Sequence, residues 1–150
     1  MLIEAFSKLH KDHPDYILRI IGDAPNQEGK NVLSFINNQI NELGLNNFVK
    51  LEPFMKNVHE AVIGDAMYVS SSDYEGISNS MLEAMAIGMP VVCTDCPIGG
   101  ARATITDGEN GLLVPIKDVD ALYLAMKRVI EDKELANNLS YNASKLRDEL

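Results

Sequence analysis

The alternation of helical and strand patterns along the 150 residues constrains the fold more than any other feature of the sequence. Short runs rich in β-branched and apolar residues are separated by stretches whose apolar residues recur at helical spacing. The strand-like runs are residues 16–21, 48–51, 66–69, 90–94 and 111–114. This order predicts an α/β fold in which helices cover both faces of a doubly wound parallel sheet.

The same spacing predicts helices around residues 2–9, 32–43, 58–63, 81–87 and 119–130, and from about residue 134 onward. Gly44 and Gly88 lie where the second and fourth of these helices should end, a position that favours glycine. The first pattern is helical, whereas a doubly wound sheet normally begins with a strand. We therefore expect a fold that lacks its first strand, as in a fragment cut after that strand, with Met1 an added or mis-assigned start. The length fits one domain over residues 1–150.

The composition and charge exclude several kinds of binding partner and cellular setting for this chain. With 13 basic and 22 acidic residues, the net charge is -9, which argues against nucleic acid because such proteins need a basic stripe. No apolar stretch reaches the roughly 20 residues of a membrane span, and no signal peptide is recognisable. Two cysteines imply no disulfide framework. We expect a cytoplasmic location.

Small polar residues fill positions 70–80, between the third strand pattern and the helix that follows. Ligands of open α/β sheets bind beyond the carboxyl ends of the strands. The free N–H groups and the positive dipole end of a helix N-terminus suit a phosphate. A plain N-capped loop explains the same residues equally well.

Glu83 is the only polar side chain in the helical run 81–87. A helix that is apolar all round is buried, and a buried carboxylate is costly unless donors satisfy it. We therefore expect Glu83 to be buried and to need hydrogen-bond donors, which the two hydroxyls of a ribose would supply. The alternative is a capping box, because residues 80–83 fit the pattern S-x-x-E.

Glu75 stands eight residues before Glu83 and is followed directly by Gly76. The glycine allows backbone angles that a side chain forbids and leaves room for a ligand. A local capping box is again the alternative, because Ser72 and Glu75 also fit S-x-x-E. Gly76 weakens that alternative, since glycine continues a helix poorly.

The segment 75–92 reads Glu-Gly-Ile-Ser-Asn-Ser-Met-Leu-Glu-Ala-Met-Ala-Ile-Gly-Met-Pro-Val-Val. It resembles the E-x7-E segment of glycosyltransferase family 4, a family of retaining enzymes with the GT-B fold. Supporting similarity lies at Gly22-Asp23, at Gly99-Gly100 and over residues 107–115. The resemblance covers nearly the whole chain, to about residue 130.

The resemblance implies that the chain is the Rossmann-like, C-terminal donor-binding half of such an enzyme, which binds a nucleotide-diphosphate sugar. It implies that Glu75 is catalytic, against the donor sugar, and that Glu83 holds the ribose hydroxyls. It also implies that amides around Asn79 and Ser80 hold the distal phosphate. The full set of donor-binding residues expected from the resemblance is Glu83, Gly76, Ile77, Ser78, Asn79, Ser80, Pro53, Phe54 and Met55, of which the last three approach the base.

The acceptor expected from the resemblance is a glycan or a lipid-linked sugar. The family's acceptor-binding N-terminal domain and its Arg/Lys diphosphate clamp would precede Met1, and that domain would supply any peripheral contact with the inner face of the membrane. Ala103 departs from the glutamate that the family commonly places there. The neighbouring Arg102 either reaches phosphate or is a solvated loop residue.

Cys93 and Cys96 form a C-x-x-C pattern, but no second ligand pair accompanies it, so coincidence is favoured over a zinc or redox site. We expect no metal and no cofactor. The alternative functions are a related nucleotide-sugar epimerase, a phosphorylase and a non-catalytic nucleotide-sugar-binding module. A phosphorylase would need a lysine for pyridoxal phosphate, and none lies between Lys56 and Lys117.

Overall fold

The structure is a computed structural model that describes residues 1–148. Helices and strands alternate through most of this part of the chain, as the sequence pattern predicts. The elements are α1 (Leu2–Asp12), β1 (Leu18–Ile21), α2 (Gln27–Glu42), β2 (Val49–Glu52), α3 (Val58–Val62), β3 (Tyr68–Ser70), α4 (Asn79–Ala86), β4 (Val91–Thr94), β5 (Leu112–Val114), α5 (Val119–Glu131), α6 (Lys133–Ser144) and a final 3-10 turn (Lys145–Asp148).

All strand pairs within the described residues are parallel, which confirms the α/β prediction. Hydrogen bonds join the strands into two sheets, one of β1 and β2 and one in the order β3-β4-β5. The chain also divides into two compact units, residues 3–58 and residues 1–2 with the chain from His59 onward.

In the smaller unit, α1 buries one apolar face formed by Ile3, Ala5, Phe6 and Leu9. The helix α2 differs from the expectation that its apolar stripe faces a core. Of its residues only Ile40 is buried, while Val32 and Phe35 are 53% and 62% exposed. The end of α2 matches its prediction, because Gly44 follows the C-cap with a φ of 67°, in the region that glycine favours.

An ion pair links the two strands of the smaller unit. Arg19 Nε on β1 lies 2.6 Å from Glu52 Oε2 on β2, and Arg19 Nη2 donates to Oε1 at 3.2 Å. The two residues are diagonal neighbours, because Arg19 pairs with Lys50 and Ile21 pairs with Glu52. The hydrogen bond from Arg19 is the main reason that the pKa of Glu52 lies below its ordinary value.

This lowered pKa predicts an acid-dependent stability. The Glu52 carboxylate stabilises the fold above the ordinary glutamate pKa of 4.5, and that contribution is lost as the pH falls through the lower, folded-state pKa. We expect Glu52→Gln to lower the free energy of unfolding at pH 7 and the difference from wild type to narrow below pH 4.5. Urea unfolding over a pH series measures it, with the exposed Glu42→Gln as control. A difference that stays constant down to pH 3 would contradict the assignment.

The larger unit is built around β4, whose four residues are all buried. Helix α4 packs its apolar face, Met81, Ala84 and Met85, into a core cluster that also contains Val91 and Cys93. Gly88 follows the end of α4 with a φ of 80°, which agrees with the predicted helix end. The predicted start is two residues late, because α4 begins at Asn79. Leu146, predicted to continue the last helix, lies in the 3-10 turn instead.

Candidate functional site

The candidate site lies at the carboxyl ends of β3 and β4. These strands are parallel neighbours, with Ser70 opposite Cys93, so the loops that follow them leave the sheet at the same edge. A small cleft, partly open to solvent, lies there. Its walls come from both loops and from α4, and the lining residues are Ser70, Glu75, Gly76, Ser78, Met81, Cys93, Thr94, Cys96 and Ala101.

Glu75, the predicted catalytic residue, lines this cleft and is half-buried. One hydroxyl contacts its carboxylate: Ser70 Oγ lies 3.5 Å from Oε2, at the limit of a hydrogen bond. Ser72 does not cap a helix at this point, because α4 begins only at Asn79. The capping-box alternative for Ser72 and Glu75 is therefore wrong, and the carboxylate keeps acceptor capacity for a ligand.

Ser78 caps helix α4 at its N-terminus. Its backbone is extended, and its Oγ accepts a hydrogen bond from the Met81 amide at 3.4 Å. A chain of hydroxyls surrounds this end, because Ser78 Oγ lies 3.1 Å from Ser80 Oγ and the Tyr68 hydroxyl donates to Ser80 Oγ at 3.4 Å. The helix itself leaves the N–H groups of its first turn without acceptors. Those of Asn79 and Ser80 belong to exposed residues.

The burial of Glu83 differs from the prediction. It is exposed rather than buried, because α4 turns Met81, Ala84 and Met85 toward the core and Glu83 away from it. Within residues 1–148 its carboxylate has no hydrogen-bond or ion-pair partner. The capping box of residues 80–83 is also wrong, since the N-cap is Ser78. Asn79 stands four residues before Glu83, so helical geometry places the two on one face of α4.

The other predicted donor-binding residues differ in where they lie. Gly76 lines the cleft, and Ile77 is exposed between Gly76 and the N-cap. Pro53, Phe54 and Met55 follow β2 and belong to the smaller unit. Phe54 is 68% exposed, and its amide donates to Asp23 Oδ1 at 3.0 Å, which ties this loop to the end of β1.

Four polar groups of this region were not among the predicted site residues: the hydroxyls of Tyr68, Ser70 and Thr94 and the thiol of Cys96. Burial is the main reason that the pKa of Tyr68 is raised, so its hydroxyl is protonated and can donate at neutral pH. Thr94 and Cys96 both contact the Ser72 carbonyl. The sequence pattern places both residues at the end of a predicted strand, but the pairing of β3 with β4, which brings them to Ser72, is decided by the tertiary structure.

The two cysteines are free thiols and both are buried. Burial raises the pKa of Cys93 to about 12, so this thiol is protonated at neutral pH. Within the described chain, no three His, Cys, Asp or Glu side chains are grouped so that they could hold a metal ion. The C-x-x-C pattern therefore adds hydrogen-bonding and packing groups to this region.

Arg102 is exposed and forms an ion pair with Asp95. Its Nε donates to Asp95 Oδ1 at 3.0 Å, and its Nη2 donates to Asp95 Oδ2. The pair raises the pKa of Arg102 further. Of the two predictions for Arg102, a phosphate contact would require the guanidinium to share or leave Asp95.

No helix within residues 1–148 combines the length and apolar character of a membrane span.

This geometry, a parallel α/β unit with a helix N-terminus and the Glu75 carboxylate at the carboxyl edge of the sheet, is typical of nucleotide-binding domains. A family model described as "Glycosyl transferases group 1" matches residues 1–146. The chain therefore belongs to the group 1 glycosyl transferases. Membership agrees with the resemblance drawn from residues 75–92, at the level of this broader family.

Two relatives show the range of proteins in which this domain occurs. An exopolysaccharide phosphotransferase of Streptomyces coelicolor is 37% identical over 142 residues, which are 94% of this chain and 14% of the relative. A Campylobacter jejuni N-acetylgalactosaminyltransferase that acts on a diphospho-undecaprenol acceptor is 31% identical over 135 residues, 90% of this chain and 34% of the relative. The chain thus spans about a third or less of the length of these relatives.

Solved structures match almost the entire chain. HepE of Anabaena, crystallised with UDP-glucose, superposes with a TM-score of 0.90 at 26% identity, over 99% of this chain and 39% of HepE. The C-terminal domain of the group 1 protein LpcC from Francisella tularensis superposes with a TM-score of 0.86 at 24% identity, over 99% of this chain and 76% of that domain. The predicted fold, a Rossmann-like C-terminal GT-B domain, is thereby confirmed.

Proposed function

We propose that this chain is the donor-binding domain of a retaining family 4 glycosyltransferase, which transfers a hexose-type sugar from a nucleotide diphosphate to a glycan or lipid-linked acceptor. One observation carries the proposal. The N-terminus of α4 presents open amides at Asn79 and Ser80, with Glu75 in the cleft before them and an exposed, unpartnered Glu83 one turn after them. A nucleotide-diphosphate sugar offers a partner to each of these groups: its distal phosphate to the amides, its sugar to Glu75 and its ribose diol to Glu83.

In this proposal the α4 N-terminus binds the distal phosphate. Transfer breaks the bond between the anomeric carbon and a phosphate oxygen, so negative charge grows on the leaving diphosphate. Preorganised N–H groups and the helix dipole stabilise that charge without reorganisation. Ser78, whose hydroxyl already caps the helix, holds these amides in place. Gly76 and Ile77 bring the backbone close to the donor between Glu75 and the N-cap.

Glu75 contacts the donor sugar near the reacting carbon, where positive charge develops as the leaving group departs. Its carboxylate is half-buried and has one long hydrogen bond, from Ser70. A partly desolvated anion stabilises nearby positive charge more strongly than one in water. Glu83 accepts hydrogen bonds from the ribose hydroxyls.

The acceptor is proposed to bind on a second domain, because the chain spans 14% and 34% of the two relatives described above. We call this chain joined to that acceptor-binding domain the full-length transferase. A transfer assay with the full-length transferase separates the proposal from its alternatives. An epimerase would convert the donor sugar without an acceptor, and a binding module would leave the donor unchanged.

Substitution of Glu83 tests the donor site directly. We expect Glu83→Ala to weaken binding of a nucleoside diphosphate by roughly 1.5–3 kcal/mol, since hydrogen bonds to a charged group are worth this much. Calorimetric titration of UDP and GDP into wild type and variant measures the change, with Glu134→Ala, an exposed glutamate on α6, as control.

A second ligand distinguishes ribose binding from a general electrostatic effect. A 2′,3′-dideoxynucleoside diphosphate lacks the ribose hydroxyls, so it should bind wild type and Glu83→Ala equally. Unchanged affinity of the variant for the ordinary nucleotide would contradict the role of Glu83. NMR shifts confined to regions other than residues 76–83 would contradict the placement of the donor.

A further inference from the structure

We propose that residues 94–100, which run from the last residue of β4 into the loop after it and are called here the supporting segment, position Glu75 for transfer. Three of its residues do this: Thr94, Cys96 and Gly100. They are positioning residues, because their contacts reach the backbone of the loop that carries Glu75 and not the donor. The inference rests on the proposed function of Glu75, and it adds a group of residues that act through the loop.

The first fixed point of the loop is the carbonyl oxygen of Ser72. Thr94 Oγ1 donates to it at 2.6 Å and Cys96 Sγ donates to it at 2.9 Å. Thr94 is 1% exposed and Cys96 is 4% exposed, so water does not compete for either donor. A carbonyl that accepts two buried donors has both of its lone pairs occupied and is held in direction as well as in position.

The second fixed point is the peptide between Gly76 and Ile77. A Cβ atom added at Gly100 would overlap the carbonyl group of Gly76 and would lie 2.7 Å from the amide nitrogen of Ile77. The φ of Gly100 lies outside the left-handed region, so its backbone conformation does not require glycine. The requirement comes from the close approach of two backbone segments, which only a residue without a side chain permits.

Glu75 lies between these two fixed points, three residues after Ser72 and directly before Gly76. Among residues 1–148, only Ser70, at 3.5 Å, offers its side chain a hydrogen bond to orient it. The backbone of the loop therefore decides where the carboxylate points. A displacement of about 1 Å in a reacting group can lower a rate by about 100-fold, so a loop held at both ends is what the proposed role of Glu75 needs.

Gly100→Ala is the first test. In the full-length transferase we expect kcat to fall by roughly 10- to 100-fold, because the methyl group pushes the Gly76 peptide and Glu75 away from the cleft. The dissociation constant of the nucleoside diphosphate should change less than threefold if ribose and base contacts persist. Gly111→Ala is the matched control, because its Cβ would lie 2.7 Å from Val91 Cγ2 and 2.9 Å from Ile105 Cγ2, in the core rather than at the loop.

Thr94 offers a pair of variants that keeps the inference testable if Gly100→Ala does not fold. Thr94→Val retains the shape of the side chain and removes the hydroxyl that donates a hydrogen bond, whereas Thr94→Ser retains that hydroxyl. We expect Thr94→Val to lower kcat roughly 10-fold and Thr94→Ser to restore most of it. Cys96→Ala and Cys96→Ser form the equivalent pair. If Thr94 and Cys96 only supported the fold, kcat would not recover in the variants that keep the hydrogen-bond donor.

A spectroscopic readout does not depend on catalysis. In the 150-residue chain, Gly100→Ala and Thr94→Val should shift the amide resonances of residues 72–77, and Gly111→Ala should leave them unchanged. The inference is overturned if Glu75→Gln abolishes transfer while Gly100→Ala and Thr94→Val keep wild-type kcat. If Glu75→Gln itself keeps wild-type kcat, the proposed function of Glu75 fails, and the inference fails with it even where the loop resonances move.

Discussion

Glu75→Gln is expected to lower kcat of the full-length transferase by roughly 100- to 1,000-fold, the scale of removing one preorganised electrostatic group from a transition state. The amide keeps the size of the side chain and removes its charge. Charge develops at the reacting carbon only in the transition state, so donor affinity should change by less than about threefold. Steady-state kinetics combined with nucleotide titration measure both quantities.

Asp73→Asn is the matched control for this substitution. Asp73 is an exposed carboxylate in the same loop, two residues before Glu75, and it does not line the cleft. The control makes the same chemical change and should leave kcat within about twofold of wild type. A kcat for Glu75→Gln that also stays within a few-fold of wild type would remove Glu75 from the reacting centre.

Leu122→Ala is expected to have the largest effect on stability. Leu122 on α5 is completely buried, and α5 contacts β4, β5 and α6. Truncating a fully buried leucine to alanine costs about 2–5 kcal/mol, because transfer energy is lost and a cavity remains. For a chain of this size we expect the melting temperature to fall by roughly 5–15 °C.

Leu124→Ala provides the same chemical change on the same helix. Leu124 is 57% exposed, so its truncation should change the free energy of unfolding by less than about 1 kcal/mol. Urea unfolding of both variants of the 150-residue chain gives the comparison. Equal losses for the two variants would mean that α5 does not present Leu122 to the core as described.

The order and type of the elements could be predicted from the sequence because both depend on local pattern. Apart from the 3-10 turn at Leu146, the five strand patterns and the helical spacing agree with the structure to within five residues, and the largest difference is the start of α2 at Gln27 rather than near residue 32. The end of α4 at Gly88 is also local, since a helix needs a residue that accepts a positive φ there. The motif from Glu75 to Glu83 identified the loop and helix on which the site is built.

Burial could not be predicted in the same way. The spacing of apolar residues in α2 predicts a face, but spacing does not say whether anything covers that face, and Val32 and Phe35 are exposed. The prediction that Glu83 is buried failed for a related reason. Its apolar neighbours suggested a helix buried on all sides, whereas α4 packs through Met81, Ala84 and Met85 and leaves Glu83 in solvent.

By itself, the sequence determined the α/β class, the positions of the helices and strands, and the pair of glutamates at the end of β3 and on α4. Only the tertiary structure decided what supports the loop that carries Glu75. Thr94 and Cys96 lie 22 and 24 residues after Ser72, and no local pattern relates them. Parallel pairing of β3 with β4 brings their loops to one edge of the sheet. There the side chains of Thr94 and Cys96 and the bare backbone of Gly100 reach the loop of Glu75, since contacts across a sheet depend on strand order and register rather than on distance along the chain.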